Sequence, residues 1–219
     1  MQNKNNSFLL ALVLLLAMQT AAFAQTTLKV AAVDQNNQGL VLNLSVEIID
    51  GKGRVLLSTV PFTGIAAQQA EYTATKVAEN ITGRNMSGKD VIFTFQGKAD
   101  KIDGESAGGA MAAAVIADIE GRELRDDVVF SGTIDKNGKI GEVGAVLNKA
   151  YAAAKENASI FIVPTAQVKQ VVYAEKIEED NGLLSKRATP IQLDLQEYAK
   201  QHWGMQVTGV EKIQEAMAI

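Results

Sequence analysis

An alternation of apolar and more polar residues from Leu40 to Ile48 is the feature that most restricts how this chain can fold. Leucine, valine or isoleucine stands at every second position, which is the period of a β-strand buried on one face. The turn-forming sequence Asp-Gly-Lys-Gly follows at 50–53, and a short apolar run begins at Val55. This order predicts that residues 28–60 are extended and that the strand turns back as a hairpin.

Patterns of helical period are interleaved with strand patterns along the rest of the chain. Helices are predicted at 64–81, 106–119, 145–156, 166–176, 191–202 and 209–218, and strands at 90–96, 128–134, 139–143, 159–163 and 205–207. No Pro/Ser-rich linker, charge block or internal repeat interrupts this order. The sequence therefore predicts one α/β (α+β) domain with mixed sheets and packed helices.

Composition excludes several kinds of active site. The 219 residues contain no cysteine, which rules out a disulfide framework, a thiol nucleophile and a cysteine-ligated metal. His202 is the single histidine, so the two-histidine metal motifs are absent. The 21 Lys and Arg against 25 Asp and Glu give a net charge of -4 without a basic block, which disfavours nucleic acid as a partner. We expect no metal and no organic cofactor.

The first 24 residues have the pattern of a secretory signal. A polar start leads into an apolar run at 8–18, and Ala22-Phe23-Ala24 places small residues where signal peptidase cleaves. Eleven strongly apolar residues fall short of the ~20 that span a bilayer, so cleavage is favoured over a membrane anchor formed by residues 8–24. We therefore expect a domain of residues 25–219 that is exported to the periplasm or the extracellular space.

A glycine-bearing loop enters a helix of small residues at Ser106, within the sequence Asp-Gly-Glu-Ser-Ala-Gly-Gly-Ala-Met at 103–111. A helix start offers unpaired backbone N–H groups and the positive end of the helix dipole, which suit an oxyanion or a phosphate. Taken alone, Ser106 is most simply an N-cap residue. A phosphate-binding loop and a nucleophilic serine are the other interpretations, although the Gly-x-x-x-x-Gly-Lys-Ser/Thr pattern of common nucleotide-binding loops is absent.

A nucleophilic serine needs a base that accepts its proton. His202 stands beside Trp203 with no motif around it, and is more simply a surface or partly packed residue. A Ser-x-x-Lys arrangement would need lysine at position 109, where the chain has glycine. The remaining candidate for the base is a lysine distant in the sequence.

Segment 103–111 resembles the nucleophile motif of the Lon protease proteolytic domain. That family places its catalytic lysine 43 residues after the serine, on a helix that follows a glycine-rich turn. This chain has Lys149 at that position, within the sequence Ile-Gly-Glu-Val-Gly-Ala-Val-Leu-Asn-Lys-Ala at 140–150.

The resemblance covers roughly residues 39–219. Between the serine and the lysine, segment 127–134 keeps the family's spacing, and so does the strand that ends at 162–164. The chain departs from the residues that are usual in the family at three positions, which are Glu105, Ala145 and Leu147.

The resemblance implies a serine endopeptidase in which Lys149 takes the proton of Ser106 Oγ and an acyl-enzyme forms and is hydrolysed. Such a lysine must be neutral, and small or apolar neighbours on its helix permit the burial that lowers a lysine pKa. The backbone N–H groups of Ser106 and Glu105 would hold the oxyanion. Ser131 occupies the position of a hydroxyl that orients the lysine, although by itself it could equally be a strand hydroxyl bonded locally. Asp103 occupies the position, three residues before the nucleophile, at which family members have an acidic residue. It would position the loop or pair with Lys149.

The chain resembles the short exported Lon-like peptidases that lack the ATPase module, so we expect cleavage of proteins or peptides without ATP. Lon proteolytic domains commonly form rings, and a homo-oligomer is an expectation of the resemblance. Two other functions stay open: a catalytically silent binding protein on the same scaffold, and a small-molecule kinase of the related fold, against which export argues. Nothing in the sequence specifies a cleavage preference.

Overall fold

The computed structural model describes residues 25–58, 62–99, 101–180 and 183–219, so the predicted signal at 1–24 lies outside the described residues. No helix in these segments is both long and apolar enough to cross a membrane. The strands are β1 (Thr26–Val33), β2 (Gly39–Asp50), β3 (Val55–Leu57), β4 (Phe62–Thr63), β5 (Lys89–Gln96), β6 (Lys101–Ile102), β7 (Val128–Phe130), β8 (Thr133–Ile134), β9 (Ile140–Gly141), β10 (Ile160–Pro164), β11 (Lys169–Asp180), β12 (Leu183–Asp194) and β13 (Gln206–Val210). The α-helices are α1 (Ile65–Thr82), α2 (Gly108–Glu120), α3 (Val146–Lys155), α4 (Leu195–Trp203) and α5 (Ile213–Ala216), with a 3₁₀ turn at Thr165–Gln167.

A seven-stranded mixed sheet forms the centre of the domain, in the order β13-β10-β7-β1-β2-β5-β3. The pairs β1–β2 and β2–β5 are antiparallel, whereas β7, β10 and β13 are added in parallel on the other side of β1. The alternating strand predicted at 40–48 is the middle of β2. Its side chains Leu42, Leu44 and Val46 are at most 1% exposed, which confirms a strand with a buried face.

Helices cover both faces of the sheet. On one face α1, α2 and α5 pack against the apolar side chains of β1, β2 and β5 and form the larger hydrophobic core. On the other face α3 and α4 pack against β7 and β10 around Phe161 and Val163. This three-layer arrangement confirms the predicted mixed α/β domain.

The hairpin predicted from β2 into β3 is wrong. Strand β3 pairs in parallel with β5 instead, with Val55 opposite Val91, and so lies at the edge of the sheet. The buried carboxylate of Asp90 causes this path, because it pairs with the Arg54 guanidinium and accepts hydrogen bonds from the backbone N–H of Arg54 and Lys52, at 2.9 and 2.8 Å. The same bonds, led by that from the Arg54 side chain, hold the pKa of Asp90 well below its usual range. The turn at 51–53 is thereby folded over the start of β5.

The helix predicted at 166–176 is also wrong. A 3₁₀ turn ends at Gln167, and β11 then pairs with β12 in a long antiparallel hairpin, from Lys169 opposite Asp194 to Asp180 opposite Leu183. Valines at 168, 171 and 172 have helical spacing, but Val171 and Tyr173 lie on the same face of the strand and are 61% and 67% exposed, so that face is not packed against the core.

Two further predicted helices are shorter than expected. The helix predicted at 191–202 begins only at Leu195, because residues 191–194 finish β12. The helix predicted at 209–218 is reduced to α5, because β13 extends to Val210. Strands β8 and β9 pair antiparallel on either side of a turn at 135–138.

Candidate active site

Ser106 lies in the turn between β6 and α2. Strand β6 pairs in parallel with β4, so the loop that leads to Ser106 is attached to the segment that leads into α1. The Asp103 carboxylate lies against Gly64, the N-cap of α1, so closely that a Cβ at Gly64 would overlap it. The same carboxylate pairs with Lys101 at 3.2 Å, and this pairing is the main cause of a lowered Asp103 pKa. Asp103 therefore holds the loop against α1, and its ion pair in this structure is with Lys101 rather than with Lys149.

The Ser106 side chain does not cap the helix that follows it. Helix α2 begins at Gly108 with Ala107 as its N-cap, and no side-chain hydrogen bond caps it. The simplest interpretation of the sequence, Ser106 as the N-cap residue, is therefore wrong. The hydroxyl of a partly exposed serine is left available beside the start of a helix.

The glycines that follow Ser106 allow close contact with the neighbouring strand. A Cβ at Gly109 would lie 2.6 Å from Phe130 Cζ, so only glycine permits the start of α2 to approach β7 this closely. The Gly109 N–H donates to Gly132 O at 2.9 Å, and the Gly132 N–H donates to Ser106 O at 2.8 Å. These two hydrogen bonds tie the Ser106 backbone to the segment Ser131-Gly132.

Lys149 lies on α3 and is only 2% exposed. Its Nζ donates a hydrogen bond to Ser131 Oγ at 3.2 Å. Within the part of the chain that the structure describes, no carboxylate lies within ion-pair distance of this ammonium group. Burial lowers the pKa of Lys149 from 10.5 to about 8, because removal from water disfavours the charged form. A large fraction of this lysine is therefore neutral in weakly alkaline solution.

Two features set the start of the helix that carries Lys149. Ala145, the N-cap of α3, has the left-handed conformation with φ +54° and ψ +40°, which explains why a glycine would be favoured there. The Gln167 side chain holds Val143, two residues before Ala145, since Gln167 Nε2 donates to Val143 O and Gln167 Oε1 accepts from Val143 N, each at 2.8 Å. The α3 helix also lies so close to β2 that a Cβ at Gly39 would overlap the Asn148 carbonyl group.

The predicted site residues thus converge on one short segment. Ser131, fully buried, receives the hydrogen bond of Lys149, and its neighbour Gly132 binds the backbone of Ser106. The hydrogen bonds of the described residues include none that joins Ser106 Oγ directly to Lys149 Nζ. Glu105 is exposed, and its backbone carbonyl accepts from the Gly108 N–H at 2.9 Å.

His202 takes no part in this arrangement. It is exposed on α4, where its Nδ1 lies 2.9 Å from Tyr198 O and its ring stacks on the Tyr198 ring at 4.1 Å. The interpretation of His202 as a surface residue is confirmed. Among the described residues, no group of three His, Asp or Glu side chains is arranged to hold a metal ion.

Sequence reasoning missed two side chains: Gln167, which contacts the segment before the Lys149 helix, and Glu71 on α1, which lines a separate cavity beside β3. Gln167 was not recognised because its contact with Val143 joins residues 24 positions apart and no local pattern indicates it. Glu71 stands at an apolar-facing position of α1, where it is 2% exposed and its Oε1 has no hydrogen-bond partner. Burial raises the Glu71 pKa to about 8, so this carboxyl group is largely protonated at neutral pH.

Comparison with known proteins agrees with this geometry. The family model of the Lon protease (S16) C-terminal proteolytic domain matches residues 29–181, and the chain belongs to this family. The chain is similar to the archaeal Lon protease of Archaeoglobus fulgidus, with 30% identity over 64% of this chain and 23% of that protein. It is also similar to the archaeal Lon protease of Thermoplasma volcanium, with 28% identity over 61% of this chain and 21% of that protein. The archaeal Lon protease of Halobacterium salinarum is 30% identical over 52% of this chain and 16% of that protein. The matched region thus spans about a quarter or less of these relatives' length.

Proposed function

We propose that this protein is a serine endopeptidase that cleaves peptide bonds with Ser106 as the nucleophile and Lys149 as the general base. The observation that carries the proposal is the buried Lys149, whose Nζ donates a hydrogen bond to Ser131 Oγ. Ser131 is followed by Gly132, and the Gly132 N–H donates to Ser106 O. A desolvated lysine of lowered pKa is what a Ser/Lys pair requires. Membership of the Lon proteolytic domain family supports the same reaction.

In the proposed acylation step, neutral Lys149 accepts the proton of Ser106 Oγ while this oxygen attacks the carbonyl carbon of the scissile peptide bond. The backbone N–H groups of Ser106 and Glu105 donate to the oxyanion of the tetrahedral intermediate. Lys149 then returns its proton to the leaving amine, and an ester to Ser106 remains. In deacylation, Lys149 takes a proton from water, the resulting hydroxide attacks the ester, and the carboxylic acid product leaves as Ser106 regains its proton.

Ser131 and Asp103 act as positioning residues in this mechanism. The Ser131 hydroxyl accepts the hydrogen bond of Lys149 Nζ and so limits the rotation of a long, flexible side chain. The Asp103 carboxylate, paired with Lys101, keeps the loop before Ser106 against α1. Neither residue needs to exchange a proton with the substrate.

The proposed cleavage consumes no nucleotide. The steps above balance with peptide and water alone. We therefore include independence of ATP in the proposal, with unfolded proteins and peptides as substrates.

Purified residues 25–219 and two variants test the reaction. Ser106→Ala and Lys149→Ala should each abolish cleavage of casein, and the unchanged protein should be equally active with and without ATP. Ser87→Ala and Lys155→Ala are matched controls, because Ser87 is an exposed loop serine and Lys155 an exposed lysine on the same helix as Lys149. Circular dichroism checks that the inactive variants fold. Casein cleavage that survives either active-site substitution would contradict the Ser/Lys pair, and a requirement for ATP would contradict the independence.

Export is a separate part of the proposal, supported by the leader pattern at 1–24. Expression of the full sequence followed by mass spectrometry of the exported fraction should find Gln25 as the first residue. A membrane-bound product that retains residues 1–24 would instead indicate an anchor.

A further inference from the structure

A groove of about 510 Å³ is lined by Glu105, the residue before the proposed nucleophile. One side is the N-terminal half of α1, and the other is formed by Glu105, which precedes Ser106, and Ile134, which follows the Ser131 segment. The groove therefore lies between α1 and the two segments that carry Ser106 and Ser131. A polypeptide bound with its scissile bond at Ser106 would place neighbouring side chains in this groove.

The walls of the groove offer both apolar surface and hydrogen-bonding groups. Ile65 and Tyr72 are 75% and 59% exposed and offer apolar surface to a ligand in the groove. Gln69 and Thr73 on the same helix supply polar groups. Such a lining suits a long side chain that has an apolar stem and a polar head.

Glu105 is the charged residue that lines this groove, and its charge is not balanced nearby. None of the ion pairs among the described residues includes Glu105. Lys101, on the strand before the Ser106 loop, pairs with Asp103 at 3.2 Å, and Lys76, on α1, pairs with Glu79 at 2.7 Å. The groove therefore carries a net negative charge immediately next to Ser106.

We propose that Glu105 makes the enzyme select substrates with a lysine or arginine side chain close to the scissile bond. The inference rests on the proposed peptidase function and adds a substrate class to it. The aliphatic stem of the basic side chain lies along Ile65 and Tyr72, and its cationic head reaches the Glu105 carboxylate at the rim. Because the carboxylate is exposed, its pairing with a substrate cation contributes about 1 kcal/mol, which corresponds to a preference of roughly five-fold.

Three fluorogenic peptides that differ at one position, with Lys, Gln or Glu near the cleaved bond, test this proposal. For the unchanged protein at low salt, kcat/KM should fall in the order Lys, Gln, Glu, with about five-fold between Lys and Gln. The quantity to compare is the ratio of the three substrates within each variant. Glu105→Gln should bring the ratio of Lys to Gln peptides close to one, and Glu105→Lys should reverse the order of Lys and Glu peptides. Glu156→Gln, an exposed carboxylate on the C-terminal end of α3, should keep the original ratio.

The failures of the two proposals are distinguishable. If the peptides are cleaved in a Ser106-dependent way with no preference for Lys, or with a preference that Glu105→Gln leaves intact, the selection by Glu105 is wrong and the peptidase function stands. If no peptide and no unfolded protein is cleaved in a Ser106-dependent way, the peptidase function itself is wrong. Added salt of about 0.5 M should reduce the preference for Lys, because salt screens an exposed ion pair.

Discussion

Lys149 Nζ donates a hydrogen bond to Ser131 Oγ across 3.2 Å, and both residues are at most 2% exposed. A hydroxyl accepts this bond but does not neutralise the ammonium, so the lysine is oriented while its pKa stays low. A carboxylate in the same place would pair with the ammonium and raise the pKa. The hydrogen bond of the buried Lys149 to Ser131 is therefore compatible with Lys149 as a general base.

Replacing Ser131 tests the orientation of Lys149. Ser131→Ala removes the partner of Nζ, and we expect kcat to fall by roughly 10- to 100-fold, the equivalent of a lost hydrogen bond to a charged group. Ser45→Ala is a matched control, because Ser45 is also a buried serine but lies on β2 and donates to Thr94 O at 3.4 Å, away from Lys149. Casein cleavage and thermal unfolding of both variants should be measured together. Equal activities of the two variants would contradict the role of Ser131.

The pH dependence of cleavage reports the ionisation of Lys149. Because the neutral lysine is the proposed base and its pKa is lowered to about 8, kcat should rise with pH and level off above this value. Initial rates between pH 6 and pH 10 give the apparent pKa. His202→Gln should leave the profile unchanged, because His202 is exposed on α4 and bonded to Tyr198 O. A rise with pH that disappears in His202→Gln would contradict Lys149 as the base.

Gln167 should act on catalysis through the loop before α3. Gln167→Ala removes both hydrogen bonds to Val143, so the start of the Lys149 helix loses a restraint. We expect kcat to fall by about ten-fold with little change in KM, since a misplaced base slows the chemical step more than it weakens binding. Gln201→Ala on the exposed surface of α4 serves as the control. A rise in KM with unchanged kcat would argue for a role of Gln167 in substrate binding instead.

Ala145 should be replaceable by glycine with a gain in stability. Its φ of +54° lies in the left-handed region, which costs alanine about 1 kcal/mol relative to glycine. We expect Ala145→Gly to raise the free energy of unfolding in urea by about 0.5–1 kcal/mol. Ala150→Gly, in the middle of the same helix, should lower it by about 1 kcal/mol or more, because glycine is a poor helix former. The same sign of effect at both positions would contradict the conformation found at Ala145.

Glu71 should make the domain less stable as pH rises. Its folded pKa is about 8 against an ordinary value of 4.5, so the folded protein holds a proton that the unfolded chain has lost between these values. Folding stability therefore falls from about pH 5 to pH 8, and Glu71→Gln should remove that fall. The advantage of the variant should grow over this range to on the order of 3 kcal/mol, at about 1.4 kcal/mol per pKa unit. Urea unfolding at pH 5 and pH 8 measures it, with the exposed Glu123→Gln as the control; parallel pH profiles for the variant and the unchanged protein would contradict the assignment.

Local patterns predicted most elements that have a buried face. The alternation in β2 and the small-residue helix α2 are correct because the core selects apolar residues at the period of each element. Residues 169–176 of β11 and 191–194 of β12 lie in segments predicted as helix, because the exposed Val171, Tyr173 and Ile191 give these segments no strand period. The path of β3 could not be predicted either, because it depends on Asp90, 36 positions from its partner Arg54.

The sequence by itself determined the mixed α/β class and, through the resemblance around Ser106 and Lys149, which residues to examine. It also established that a cysteine base or nucleophile is impossible and that His202 is the single histidine. Only the tertiary structure decided that Ser106 caps no helix, that Lys149 is buried against Ser131, and that Glu105 borders a groove. The physical reason is that a pKa, a cavity and a hydrogen bond between distant residues depend on which atoms exclude water around a group, and that is settled when the helices close on the sheet.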